Sequence, residues 1–461
     1  MSIFKACDIR GRYGSELFDD DGLRLGLALA EQLAPAEVIV GGDGRLSTPA
    51  LKQALVAGLL QGGCGVIDIG MVTTPAFYFA RHHLGVPPGV MVTASHNPAH
   101  DNGFKIALGE TPVTPDDIRA LAARMQSGTL KPVPQPGALR AVDVLPAYIA
   151  HARRLAPNLA GMRVVADCAN GVCALTAPAV WQASGAQVFL IYDTVDGAFP
   201  NHPPDPAVFK NLKSLCRAVV ERQADLGVGY DGDGDRAVFV DAKGRPLPAD
   251  KAIALFAGRA LAAGPAPIVY DQKCSLLVAD AIRARGGQPI LEKSGHTFIK
   301  ATFLRLGAPY AGEISGHHFF RELGGDDGLI ASLFMADLVR RSGQGLAALA
   351  DAIPTYPITP EIRLKMDAAR AGQVIEQLTR NLAGEANLTL TDGVRAEYPD
   401  AWGLVRQSVT EPAITLRFEG KTESALRQIM ARFEAAAPDL AGWITDHAIT
   451  DHAITDREKQ P

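Results

Sequence analysis

The chain has 461 residues, 47% of them hydrophobic and 21% charged, the balance of a soluble globular protein with roughly three or four domains. Its 50 acidic and 45 basic side chains leave a formal charge of −5. That lacks the basic excess of a nucleic-acid binder, so a phosphorylated small molecule would need basic residues gathered locally.

Six cysteines (Cys7, Cys64, Cys168, Cys173, Cys216 and Cys274) lie far apart and have neither zinc-finger spacing nor the density of a disulfide framework. The opening MSIFKACDIRGR carries charges where a signal peptide needs an apolar run. The most apolar stretch, Ala252 to Tyr270, contains Arg259 and two prolines and is not a membrane span. A cytoplasmic protein with no membrane or nucleic-acid partner is expected, with a monomer as the default state.

In chain order, the first 350 or so residues alternate short apolar strands with amphipathic helices. EVIVGG is read as a strand. Ser47-Thr48-Pro49 starts a helix that runs to Gly62-Gly63. CGVIDIG, the helix TPAFYFARHHLG and the strand GVMVTA follow, the last delivering Ser95 to a turn before a second strand at Phe104. The cycle restarts with a helix near Ala141, then the strands RVVADCANG, AQVFLIYD and ADLGVGYD. It restarts again near Pro248, with strands PIVYDQK, QPILEK and PYAGEIS and a helix from Asp327 to Gly343. From about Thr355 the texture becomes α+β: EIRLKMD, a helix around GQVIEQLTRNLA, GLVRQS, AITLRFEG and a last helix.

The pattern predicts three tandem α/β domains with mixed, largely parallel sheets and a C-terminal α+β domain, around a central cleft. The expected segments are 1–142, 143–246, 247–354 and 355–445, with a polar tail at 446–461. That tail repeats DHAIT in tandem, and His447 and His452, five apart, do not share a helical face. It reads as solvated chain.

Four constellations carry chemistry. In Thr93-Ala94-Ser95-His96-Asn97-Pro98, followed by Asp101-Asn102-Gly103-Phe104-Lys105, a serine hydroxyl has His96 and Lys105 nearby in sequence to polarise it or stabilise a charged product. In Asp231-Gly232-Asp233-Gly234-Asp235-Arg236, three carboxylates at alternate positions repel unless a cation neutralises them, and oxygen-only ligands favour Mg²⁺ before Ca²⁺. An EF-hand is ruled out, because Arg236 and Ala242 stand where it needs Gly and Glu. Gly312-Glu313-Ile314-Ser315-Gly316-His317 offers donors and acceptors suited to sugar hydroxyls. Arg406-Gln407-Ser408-Val409-Thr410-Glu411-Pro412 offers a guanidinium fork and two hydroxyls for a phosphate.

Together and in this order, TASHNP with NGFK, DGDGDR and GEISGH make the chain resemble the α-D-phosphohexomutase superfamily, in its bacterial phosphomannomutase/phosphoglucomutase branch. The opening FKACDIRG is similar to the start of that branch, and the resemblance runs to the repeated tail. It implies that Ser95 is the phosphoserine and that Asp231, Asp233 and Asp235 hold Mg²⁺ beside it. Arg10, His96, Lys105 and Arg236 would surround the transferred group. Glu313 and Ser315 would read sugar hydroxyls with His317 alongside, Lys273 and His296 would line the cleft, and Arg406, Ser408 and Thr410 would grip the unreactive phosphate.

The implied reaction interconverts hexose 1-phosphates and hexose 6-phosphates of mannose and glucose. A hexose 1,6-bisphosphate would be both intermediate and activator, with Lys105 or His317 as general base. Two residues depart from the pattern: Val409 stands where Gly or Asn is usual, and Cys7 where Tyr is usual. A phosphoglucosamine mutase is the alternative within the family. A haloacid-dehalogenase-type phosphatase would leave Ser95 without a role and put Asp235 where Thr or Val is expected, and Asp326 and Asp327 are better read as the cap and first turn of a helix. A catalytically dead sugar-phosphate binder would have no need of the complete nucleophile and metal set.

Overall fold

The computed structural model describes residues 3–407, 412–440, 442 and 444. The chain forms two compact units: Met1–Ala252 with His296–Asp351, and Ile253–Gly295 with Ala352–Pro461.

In the first unit, a six-stranded sheet is built around Val38–Val40, Val90–Val92 and Val66–Ile67, which are almost wholly buried because helices cover both faces. Glu37–Gly42 pairs in parallel with Gly65–Met71 and Gly89–Val92. Gly89–Val92 then turns back antiparallel on Asp101–Ala107, which pairs with Ile9–Arg12. Thus the Ser95 turn joins two antiparallel strands at the rim of an otherwise parallel sheet.

The helices Asp19–Leu33 and Thr48–Gln61 pack on one face through Leu25, Leu29, Leu51, Leu55 and Leu59, all inaccessible to solvent. Each such leucine contributes about 2 kcal/mol by burial, an upper figure since an unfolded chain is not fully extended. The two helices approach so closely that a Cβ at Gly58 would lie 2.2 Å from the Leu23 carbonyl oxygen.

A four-stranded sheet follows in the same unit. Arg163–Asp167 pairs in parallel with Gln187–Ile191 and Leu226–Tyr230, and Ala237–Asp241 folds back antiparallel on Leu226–Tyr230. The DGDGDR segment is therefore a hairpin connection. Tyr310–Gly312, His318–Phe320 and Gly325–Asp326 form an antiparallel meander, and the helix Gly328–Ser342 runs on from it, capped by Asp327 on the Ile330 amide.

In the second unit, Pro267–Asp271 and Gln288–Glu292 form a parallel pair joined through the helix Leu276–Arg283. Its other part is a five-stranded antiparallel sheet with the helices Ala368–Asn381 and Glu423–Ala436. Their apolar faces bury Val374, Leu378, Ile429 and Phe433 with Ile414, Leu416 and Phe418.

Every strand named from the sequence forms, and the differences lie at edges. A short strand, Leu139–Ala141, adds to the first sheet, and the helix expected near Ala141 starts at Leu145. The strand expected at Phe104 begins at Asp101, because it pairs with Ile9–Arg12 along its whole length. Asn387–Thr389 and Val394–Glu397 went unnamed although NLT and VRAE alternate polar and apolar residues, because each is only three or four residues long. The DHAIT repeat lies outside the described residues.

Candidate active site

Ser95 sits at the tip of the first sheet, 1% exposed, with a left-handed backbone (φ 52°) that β-region neighbours rarely impose on a serine. A clamp holds it there. The Arg45 guanidinium donates to the carbonyls of Ser95 and Asn97 at 2.7 Å, Pro98 at 2.6 Å and Asp101 at 3.0 Å. Asp43, which also accepts from the hydroxyls of Thr48 and Thr93, anchors Arg45 through its Nε at 3.1 Å. Strain of this kind persists where surrounding contacts over-determine the backbone. The sequence reading missed this pair, although Asp43-Gly44-Arg45 directly after a strand was the available signal.

The hairpin 231–236 meets this turn. Ser95 Oγ donates to Asp231 Oδ2 at 2.9 Å and lies 3.2 Å from His96 Nδ1. A Cβ at Gly232 would lie 2.6 Å from the Ser95 carbonyl oxygen, so the glycines between the acidic residues permit the approach. The other oxygen of Asp231 accepts the amides of Gly234 and Arg236 and shapes the loop. Asp233 Oδ2 accepts from Thr74 Oγ1 and from Lys105 Nζ, each at 2.7 Å, and Lys105 reaches Asp235 Oδ2 at 2.5 Å.

The electrostatics divide the triad. Burial and the neighbouring Asp233 and Asp235 charges push Asp231 well above the carboxylate range. Burial acts on Asp233 in the same sense, but the Lys105 ammonium and its hydrogen bond hold Asp233 ionised. Lys105 is driven upward by the same two carboxylates against its own burial. His96 is pushed well below its ordinary value by burial and by the Arg236 and Arg10 charges, so its ring is neutral beside the serine.

Asp231, Asp233 and Asp235 each present an oxygen within 4.8 Å of the others'. Asp233 Oδ1 and Asp235 Oδ1 are buried without a hydrogen-bond partner. Buried carboxylate oxygens without a hydrogen-bond partner are costly unless a cation takes the place of the missing donors. The cluster fits a hard divalent metal.

The GEISGH turn is stitched to this loop. Ala237 donates its amide to the Gly316 carbonyl at 3.1 Å, and Arg236 Nε donates to His317 Nε2 at 3.0 Å. His317 Nδ1 lies 2.7 Å from Asp326 Oδ2, and His296 Nε2 lies 2.9 Å from Asp326 Oδ1. Asp326 is therefore not part of a helix cap, as its sequence position implied, but the anchor of two histidines. Burial opposes its charge, yet His296 and His317 hold it ionised. Asp235, His296, His317 and Asp326 also cluster within metal-ligand distances, but both His317 nitrogens are committed to hydrogen bonds. Ser315 Oγ is buried with no hydrogen-bond partner among the described residues.

Arg10 reaches the Ala94 carbonyl at 3.2 Å and Asn97 Oδ1 at 3.3 Å, so it borders the serine turn. The first unit thus assembles Arg10, Ser95, His96, Lys105, Asp231, Asp233, Asp235, Arg236, His296, Glu313, Ser315 and His317. In the second unit, Lys273 Nζ lies 3.5 Å from Glu361, and Arg406 donates to Asp392 at 2.8 Å. Ser408, Val409 and Thr410 lie outside the described residues. Cys7 is half-buried and packs at the edge of the first core.

The chain matches four family models in succession: phosphoglucomutase/phosphomannomutase α/β/α domain I over residues 1–131, domain II over 146–244, domain III over 248–356 and the C-terminal domain over 361–436. It is 40% identical over 439 residues to a phosphomannomutase/phosphoglucomutase of Pseudomonas aeruginosa, covering 94% of each chain. It is 37% identical to a phosphoglucomutase of Neisseria gonorrhoeae, covering 94% of this chain and 96% of the relative. A phosphoglucomutase/phosphomannomutase family protein from Burkholderia thailandensis shares its fold at a TM-score of 0.87 with 35% identity, over 94% of this chain and 96% of that one.

Proposed function

The chain belongs to the phosphoglucomutase/phosphomannomutase family, and we propose that it works as a phosphohexomutase with Ser95 as phosphate carrier. It is an isomerase that interconverts hexose 1-phosphates and hexose 6-phosphates. The observation that carries the assignment of the carrier is the hydroxyl of Ser95, buried at φ 52° and directed onto Asp231 beside two orphaned carboxylate oxygens.

In this reading, phosphorylated Ser95 donates its phosphoryl group to the free hydroxyl of a hexose monophosphate, leaving the serine hydroxyl and a hexose 1,6-bisphosphate. The bisphosphate turns over in the site and returns its other phosphoryl group to Ser95, releasing the isomeric monophosphate. Asp231, Asp233 and Asp235 would hold Mg²⁺ with Ser95, and the bound ion would neutralise charge on the transferring group. Lys105 and Arg236 add fixed positive charge, and Arg10 and His96 border the carrier. Lys105, locked between two carboxylates and driven upward, serves as a cation and not as a base.

Glu313 and Ser315 would read sugar hydroxyls with His317 alongside, Lys273 and His296 would line the substrate's path, and Arg406, with Ser408 and Thr410, would grip the phosphate that does not react. Mannose and glucose phosphates are the proposed substrates. Relatives bearing both names, and the 36% identical phosphomannomutase of Salmonella montevideo, support the pair.

The test measures turnover of mannose, glucose and glucosamine 1-phosphates side by side with Mg²⁺ and a trace of hexose 1,6-bisphosphate, on the wild type and on Ser95→Ala. Comparable kcat/KM for the first two sugars, and loss of turnover with retained sugar-phosphate binding in the variant, are expected. Preference for glucosamine 1-phosphate would reassign the substrate. Full activity of Ser95→Ala would overturn the carrier.

A further inference from the structure

A cleft of about 730 Å³ opens in the first unit outside the catalytic cluster: neither Ser95, the three aspartates of the hairpin, Lys105, Arg236 nor the 313–317 turn lines it. Its walls come from the helix Thr74–His83, the helix Leu145–Leu155, the helix His296–Leu306 and the 322–327 segment.

Among its lining residues is Lys300, only 9% exposed. Its Nζ rests 3.6 Å from the centroid of the Tyr78 ring and 3.2 Å from where a Cβ on Gly325 would be, and both residues line the cleft. No hydrogen bond or ion pair is made by this ammonium among the described residues.

The other buried charges of the cleft are satisfied. Arg81 donates to the carbonyls of Pro87 and Gly109. Both oxygens of Asp326 are taken by His296 and His317. Asp327 accepts from the Ile330 amide at 3.0 Å and the Tyr148 hydroxyl at 2.8 Å, and burial pushes its carboxyl up to about 7. A cation–π contact offsets only part of the cost of desolvating an ammonium. The lining is also aromatic: Phe79 packs on Tyr148 with centroids 5.9 Å apart and on His151 at 5.2 Å.

We propose that this cleft is a second binding site, for a small organic anion whose phosphate or carboxylate meets Lys300 and whose flat or apolar body lies along Phe79 and Tyr148. Glu110 and Glu322, both exposed, also line the cleft, but Lys300 is its one buried charge without a partner among the described residues and sets the sign of the ligand, while the ring wall sets the character of its body. The proposal is independent of the chemistry assigned to Ser95. Burial also brings Lys300 down to about 8, so an anion that pairs with it would raise it again.

The probes are tungstate, a phosphate mimic, and 4-bromobenzoate, a carboxylate on a ring, soaked into crystals of the full chain and located by anomalous scattering. Density beside Lys300 Nζ for either probe supports the site, and which probe binds tells phosphate from carboxylate. In solution, calorimetric affinity for the binding probe should fall roughly tenfold or more in Lys300→Met, the loss of one charge-assisted contact, and persist in Lys300→Arg. The arginine variant separates lost charge from lost folding. Absence of both probes from the cleft in crystals where tungstate fills the Ser95 centre would overturn the proposal, as would equal affinity in the methionine variant.

Discussion

Arg236 donates its Nε–H to Nε2 of His317 across 3.0 Å, and a guanidinium has no lone pair with which to accept in return. That contact places the proton of a neutral His317 on Nδ1, where Asp326 accepts it at 2.7 Å. Burial and the Arg236 charge lower His317, so the neutral form is the one present at pH 7. Asp326 therefore sets the tautomer and orientation of this imidazole. It is a positioning residue. Asp326→Asn keeps the shape but must offer an N–H to one histidine, so kcat should fall roughly 10- to 100-fold with KM little changed. Steady-state kinetics check this, and an unchanged kcat would refute the role.

Lys105 is the counter-ion of Asp233 and Asp235. Removing one partner of a buried ion pair leaves uncompensated charge, which costs roughly 3–5 kcal/mol. Lys105→Met in metal-free protein should lose stability on that scale by urea denaturation. Added Mg²⁺ should restore part of it, since the ion and the ammonium neutralise the same carboxylates; chelation with EDTA should then lower the Tm of the variant more than that of the wild type. A variant as stable as the wild type without metal would contradict the assignment.

The Asp327 carboxyl gives a pH dependence of defined sign. Pushed up to about 7 by burial, it keeps its proton in the folded chain while the unfolded chain, near its ordinary 3.8, has lost it. Between those values the unfolded state binds fewer protons, so stability falls as pH rises. The contribution is whole below about pH 4 and lost progressively towards 7. Relative to Asp327→Asn, which cannot ionise, the wild type should lose roughly 2–4 kcal/mol between pH 4.5 and 7.5. Parallel urea curves for the two proteins across that window would argue against it.

In the second unit, Asp392 accepts from Arg406 at 2.8 Å and from Gln272 at 3.2 Å. If Arg406 grips phosphate, Asp392 pre-orients it. Asp392→Ala should raise KM for glucose 1-phosphate about tenfold, with a smaller effect on kcat, because the same phosphate is held before and during transfer. A fall in kcat alone would show that Asp392 acts on another step.

Much of this was legible in one dimension because local chemistry dictates it. Glycines between three aspartates mark a tight turn that brings carboxylates together, and a Ser-His-Asn-Pro turn after a buried strand puts a hydroxyl at a sheet rim. The strand and helix order followed from apolar periodicity, and the misplaced edges at Asp101 and Leu145 reflect pairing with distant segments that periodicity cannot register.

By itself, then, the sequence determined the order of elements and which residues are candidates to carry chemistry, since both depend on residue type and short spacing. The tertiary structure decided which of them act together. Arg45 reaches carbonyls some fifty residues away, Lys105 finds its carboxylates 128 and 130 residues on, and Asp326, which looks like a helix cap in the chain, turns instead to two histidines. Burial makes the difference. A charged group removed from water must take whatever partner the fold brings within hydrogen-bond reach, and only the packed chain determines which partner that is.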